Sequence, residues 1–365
     1  MPRSQQRLLG LAVSVAVVAV LIVWFGWIFP TNYKSADTRL VAQAFYIGVA
    51  AMGLNILTGY NGQVSIGHGA FFGVGAYTTA LLMDHEYTFL GITYGHVSFL
   101  GTLLPCAIVT FVIGALVGFP ALRVKGLYLA LVTLGLAVIF PDLATRFVKG
   151  TGGTSLVALT PTELAAPSWF ADHFPSLSAQ DQWAYTMCFA LAIVGLVGVW
   201  VIARSRFGRS LIAVRDHEAA ASSVGIDLAR TKVLAFALSA MYAGIAGSLS
   251  VLVLFNASAD KVETFQNSIE FLVALVIGGT ATVIGPIIGG FAVVYIDKWT
   301  KDAFPSKPVL SPAIFGIALI VLMYVLPDGV VGGSRRLFAW SRRTLQTRRA
   351  RPAAPATPAT PASTR

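Results

Sequence analysis

The sequence predicts an all-α polytopic membrane protein, a bundle of about ten transmembrane helices with glycine-interrupted helices near the midplane. Three observations lead there. Of the 365 residues, 56% are hydrophobic and 12% charged, with a mean hydropathy of +0.74, about half the charged share of an ordinary soluble domain (roughly 25%). The apolar residues gather in long uncharged runs, and two of those runs are broken by Gly-rich polar segments. Such a composition excludes a disordered protein, a nucleic-acid-binding domain and a typical cytosolic enzyme. Runs of this length are helical spans, because barrel strands are short and alternate in polarity.

The first apolar run, Leu8 to Phe29, lies in a segment without Asp, Glu, Lys or Arg from 8 to 33. Arg3 and Arg7 precede it as they would precede a secretory signal. The run outlasts a 7–15-residue signal core, however, and no small-x-small cleavage site precedes Pro30, so it reads as a retained span. Residues 40–83 are uncharged and long enough for two helices of about 20 residues, divided at Gly59-Tyr60-Asn61-Gly62-Gln63. Further spans are expected at about 97–119, 126–145, 183–203 and 233–256. The run Phe271 to Ile296 is interrupted at Gly278-Gly279-Thr280 and Gly285-Pro286, and Val309 to Leu326 is the last apolar stretch.

Orientation follows the Lys and Arg bias. Arg3 and Arg7, Arg123 with Lys125, and the 204–232 segment belong on the cytoplasmic side; Asp84 and Glu86 and the acid-only loop 150–182 belong outside. Lys34 and Arg39 fall outside, mildly against the rule. Counting 271–296 as one span gives nine crossings, and splitting it gives ten and keeps the basic tail inside. Residues 335–365 hold eight arginines and no acid, so without them the net charge falls from +10 to +2. The chain thus divides into a membrane domain, 1–334, and a basic, Pro/Ala-rich, disordered cytoplasmic tail, 335–365, that anchors on an anionic leaflet. Cys106 and Cys188 stand alone in apolar runs as small core residues.

The two breaks are the first functional candidates. Backbone that leaves the helix at membrane depth is tolerated only where protein or a water-filled cavity satisfies it, so interrupted segments point to a translocation path. Asn55, Thr58, Gly59, Asn61, Gly62, Gln63, Ser65, Gly67 and His68 form the first, and Gly278, Gly279 and Thr280 the second. Close packing of small residues is the competing reading for each glycine, as in Gly69-xxx-Gly73, Gly114-xxx-Gly118 and Gly285-xxx-Gly289. His68 reads as a neutral histidine at a helix turn before it reads as a proton relay.

Segment 204–232, with six bases and three acids, is the second candidate. Leu211, Val214, Ala219 and Val224 suggest short amphipathic helices broken at Gly208 and Gly225, either a surface for a cytoplasmic partner or a basic loop that sets topology. The sequence has no GxxxxGK[ST], HExxH or GxSxG and no Cys/His cluster. That argues against an enzyme and against a cofactor of the chain's own. The only acid close to a span interior is Asp142, so no coupling-ion site is visible for a self-sufficient channel or secondary transporter. Energy for driven transport would come from another subunit.

Read together, several motifs resemble the permease subunits of branched-chain amino acid ABC importers, of the LivM kind rather than the LivH kind. They are Gly53-Leu54-Asn55 through Gly59-x-x-Gly62-Gln63-x-Ser65-x-Gly67-His68-Gly69-Ala70-Phe71, then Arg123-Val124-Lys125-Gly126-Leu127-Tyr128-Leu129-Ala130 with Thr133-Leu134-Gly135. Thr151-Gly152-Gly153-Thr154, Ser205-x-Phe207-Gly208-Arg209, Ala213-Val214-Arg215-Asp216-x-Glu218-x-Ala220 and the glycines from 278 to 289 complete the set, in order over roughly 40–330. The resemblance implies a multi-pass protein of the bacterial inner membrane working with a second homologous permease, two ATP-binding subunits and a periplasmic substrate-binding protein. ATP would be bound by those partners. It further implies that Arg209, Arg215, Asp216, Glu218, Ala219, Ala220 and Gly225 couple the permease to the ATPase, with Gly225 one residue beyond the commonest spacing of the Glu-Ala-Ala…Gly loop. The implied solute is a branched-chain or other small amino acid, with urea or a short amide as the alternative.

Overall fold

The computed structural model describes residues 35–303, apart from 85–86, 90–91, 95–96, 122–125, 148–155, 259–260 and most of 160–178, and a few positions between 313 and 332. The expected span at 8–29, most of that at 309–326, and the tail from 335 lie outside the described residues.

The chain opens with α1 (Ser35–Leu54), which passes without a break into a wider π-helical turn, Asn55–Tyr60. Then follow α2 (His68–Asp84), β1 (Tyr87–Phe89), β2 (Ile92–Tyr94), α3 (Phe99–Ala121), α4 (Leu127–Phe147) and β3 (Leu156–Ala158). The second half holds α5 (Ala179–Arg204), α6 (Arg206–Asp216), α7 (Glu218–Ser223), α8 (Leu228–Leu254), β4 (Asn256–Ser258), α9 (Lys261–Gly278) and α10 (Gly285–Ala303). Five helices among the described residues are long and apolar enough to cross a membrane: Asp37–Tyr60, Phe99–Pro120, Tyr128–Arg146, Ala179–Arg204 and Leu228–Leu254. The shorter α9 is apolar over Thr264–Gly278.

The run expected at 271–296 is two helices. α9 and α10 lie antiparallel, with Gly278 against Gly285 and Gly289 against the Ala274 backbone. Both reach about ten residues or fewer beyond the uncharged run, because their far ends carry Lys261, Asp297, Lys298 and Lys301, which a count of apolar residues discards.

The core forms around α1 and α8. In their most apolar stretches 89% and 78% of residues are enclosed by protein, against 22% in α3 and 17% in α5. Close approach demands small residues where these helices cross. A Cβ on Gly53 of α1 would stand 2.6 Å from the Ser239 carbonyl oxygen of α8. In the glycine's place, the Ser239 hydroxyl donates to the Gly53 carbonyl at 2.7 Å. Gly114 and Gly118 of α3 do the same work against Ala240 and Phe236. Thr79 of α2 donates to the Ser248 hydroxyl of α8 at 2.7 Å, a second buried polar contact holding α8 in the core.

Two short ribbons were not foreseen. β1 pairs with β2 in an antiparallel hairpin, and β3 pairs with β4, tying the segment after α4 to the segment after α8. Near the start of α1, Arg39 bonds Asp181 at 2.5 Å and lies over the Phe255 ring. That pairing explains how a basic residue sits on the side of the molecule where the acids gather.

Candidate functional site

The first break does not lie midway along a helix. It closes the far end of the rod formed by α1 and the π turn, where α6 and α7 pack. Wide turns of this kind concentrate at functional sites, and the carbonyls of this one are taken up mainly by backbone amides that follow it. Thr58 Oγ1 donates to the Gln63 carbonyl at 2.9 Å, the Gly62 amide to Thr58 at 3.2 Å, and the Gln63 amide to Leu57 at 3.0 Å. Gly62 has φ of +76°, and a Cβ there would stand 2.7 Å from Arg215 Cγ. The turn ends the apolar rod Asp37–Tyr60, and the polar residues 61–65 follow it directly.

Asn55 joins the two breaks. Its side-chain amide donates to the Thr282 carbonyl at 2.6 Å and its Oδ1 accepts from the Ala281 amide at 2.8 Å. Ala281 is held at φ of 55°, a conformation costly for any residue with a Cβ. Gly59 passes beside it, since a Cβ there would stand 2.7 Å from the Ala281 nitrogen. Gly279, at φ of +108°, and Gly278 make the second turn, while Thr280 is exposed and outside the Asn55 clamp. Sequence reasoning singled out both breaks and missed that they touch; Ala281 and Thr282 gave no signal, since they act through their backbones.

Segment 204–232 folds as α6 and α7, but Gly208 does not break it. Ser205 caps α6 by accepting from the Gly208 amide at 3.1 Å, so Gly208 lies in the first turn. The helix breaks instead at His217, whose backbone is extended, and α7 is closed by Gly225 at φ of +84°. Leu211, Val214 and Ala221 are buried, while Arg209, Asp216, Ala219, Ala220 and Gly225 are exposed. One α6 residue reaches inward: Arg215 Nη1 donates to the Gly59 carbonyl at 3.0 Å while its guanidinium holds Asp216 at 2.9 Å. The Lys232 ammonium at the start of α8 bonds Glu218 of α7 at 2.6 Å and is 7% exposed.

A cleft of about 130 Å³ opens here, lined by Asn61, Gln63, Arg215, Glu218 and Lys232 among others. Among the described residues, both amide atoms of Asn61, Gln63 Oε1, Ser65 Oγ and His68 Nδ1 have no protein partner, although Asn61, Ser65 and His68 are buried. Buried polar atoms of this kind are ordinarily met by ordered water. His68 Nε2 lies 3.0 Å from Ser239 Oγ. The serine's one proton goes to Gly53, so the ring donates from Nε2 and keeps Nδ1 as an acceptor. Gly67 lies directly against the Thr133 backbone of α4, and the Ile66 amide donates to Thr133 Oγ1 at 3.0 Å. Valine at Gly62 adds roughly 1–3 kcal/mol of backbone strain, and valine at Gly67 forces α2 from α4. Each should cut solute uptake several-fold in membrane vesicles; wild-type rates in both variants would reduce these glycines to plain packing.

Residues 38–323 match the family described as branched-chain amino acid transport system / permease component. The chain is 28% identical to the high-affinity branched-chain amino acid transport system permease protein LivM of Salmonella typhimurium over 339 residues, 87% of this chain and 75% of that one. It is 24% identical to LivH of Escherichia coli over 77% of this chain and 90% of that protein. A probable LivM from Methanocaldococcus jannaschii is 22% identical over 87% and 94%. No solved structure matches the chain.

Proposed function

Because the chain belongs to the branched-chain amino acid transport permease family, we propose that it is the membrane-spanning subunit of an ATP-driven importer of branched-chain or other small amino acids. It is a transport subunit and not an enzyme. Its partners in this reading are a second, similar permease, two ATP-binding subunits and a periplasmic binding protein. The chain crosses the inner membrane ten times, with both termini in the cytoplasm. The observation behind the reading is the Arg215–Gly59 bond, which ties a solvent-facing amphipathic helix directly to the break in the enclosed rod.

ATP binding would draw the two ATPases together and move α6 and α7 as a unit, since Leu211, Val214 and Ala221 pin them to the bundle. Arg215 would pass that displacement to Gly59, and Asn55 would pass it on to the turn between α9 and α10. The nucleotide state selects between two packings of the same helices. The urea or short-amide reading shares this machinery and differs only in the solute.

Purifying the tagged chain from its native membrane in mild detergent should bring down two ATP-binding proteins and a second permease, identified by mass spectrometry. A chain that is stably alone and transports in liposomes without ATP would overturn the reading. Glu218→Lys sets two ammonium groups against each other at Lys232 and should abolish uptake, with the protein still inserted; normal uptake would remove α7 from the coupling surface.

A further inference from the structure

A second cavity, of about 200 Å³, opens at the other end of the bundle among α1, α2, α8, α9 and α10. Lys232 at the α7 contact and Leu254 at this cavity are the two ends of α8, ~30 Å apart at 1.5 Å per residue. We propose that this cavity is the station where the solute enters the permease, built for one zwitterionic amino acid with an aliphatic side chain. The inference rests on the importer reading above, which places α6 and α7 inside and hence this mouth outside.

The chemistry of the lining is the argument. Lys301 supplies an ammonium for a carboxylate, Glu270 and Asp297 supply carboxylates for an α-ammonium, and Phe72 and Leu254 form an apolar wall. Among the described residues these three are the charged groups of the lining and sum to minus one, which disfavours anionic solutes and lets a zwitterion, unlike a neutral diamide, meet charge with charge. The groups are held but not locked. Glu270 accepts from Gln266 at 3.0 Å, and Lys301 pairs with Asp297 at 2.5 Å as an exposed i,i+4 contact. Exposed pairs of that kind are worth little, so Lys301 exchanges Asp297 for a solute carboxylate at small cost. The volume lies below the ~300–1,000 Å³ of drug-sized sites, matching a small solute.

The test uses the complete importer in liposomes, with ATP enclosed on the ATPase side, binding protein at the other face, and labelled leucine, alanine and urea as probes. Glu270→Gln and Lys301→Met should each lower leucine uptake about tenfold or more, since each strips one charge from a paired ligand. ATP hydrolysis stimulated by the binding protein should stay within about twofold of wild type. Leu254→Trp, at a half-exposed position, should depress leucine uptake more than alanine uptake. Leucine uptake near wild type in all three variants would overturn the site, and so would loss of stimulated hydrolysis together with uptake, which would assign these residues to assembly. A wild-type importer that moves urea and no amino acid would overturn the importer's assigned solute instead.

Discussion

Replacing Arg215 by alanine is expected to uncouple the importer: ATP hydrolysis persists, the complex stays assembled, and solute moved per ATP falls at least tenfold. The guanidinium joins α6 to the first break, donating to the Gly59 carbonyl at 3.0 Å. Hydrogen bonds from charged groups contribute about 1.5–3 kcal/mol, or roughly ten- to a hundredfold in the balance between two packings. The side chain reaches inward from the surface but is not part of the buried apolar core, so its loss should leave the fold intact. Lysine should not rescue, because a point ammonium cannot hold the Gly59 carbonyl and the Asp216 carboxylate in the planar fork Arg215 uses. Measuring leucine accumulated against phosphate released decides it, and an unchanged ratio would sever α6 from the transmission route.

Asn55→Leu is expected to be the most damaging single change in the membrane domain, abolishing transport and lowering the thermal midpoint in detergent. Leucine keeps the branching and heavy-atom count of asparagine but leaves the Ala281 amide and the Thr282 carbonyl without the partners they have at 2.8 and 2.6 Å. Each orphaned buried group costs about 1–3 kcal/mol. The same bond keeps Ala281 in its left-handed conformation, so the turn between α9 and α10 loses what holds it against strain. Uptake assays and a melting curve on one purified variant test both halves of the claim. A leucine variant that transports and melts like wild type would show that the two breaks are neighbours without being coupled.

What was legible in the sequence is what hydrophobicity and glycine write directly. The paired helices either side of 59–67 and the spans at 99–121, 127–147, 179–204 and 228–254 fall within a few residues of expectation, because uncharged runs report burial in lipid or protein alike. Where a helix ends in solvent the signal fails, as in α9 and α10, whose charged ends extend past the apolar run. Within the sites the same division holds. Asn55 and Arg215 were marked as polar residues in telling places, but their partners are the backbone atoms of Gly59, Ala281 and Thr282, and side-chain identity does not encode which carbonyl lies nearby. The charged cavity is not legible in the sequence because Glu270, Asp297 and Lys301 come from two helices and lie just outside the apolar run 271–296.

The contrast between enclosed and lipid-facing helices has a consequence for how the chain is made. α1 leaves the ribosome early, yet the Ser239 and Thr282 groups that match its Gly53 and Asn55 are synthesised more than 180 positions later. Until then α1 holds an unmatched amide that hydrocarbon does not accept, whereas α3 and α5, largely unenclosed, can rest in lipid at once. Insertion order and settling order therefore differ, with the first of the described helices the last to be secured. Chains truncated before α8 should be inserted yet degraded rapidly in pulse-chase labelling, while chains that include α10 persist; equal lifetimes would show that α1 finds a surrogate partner during synthesis.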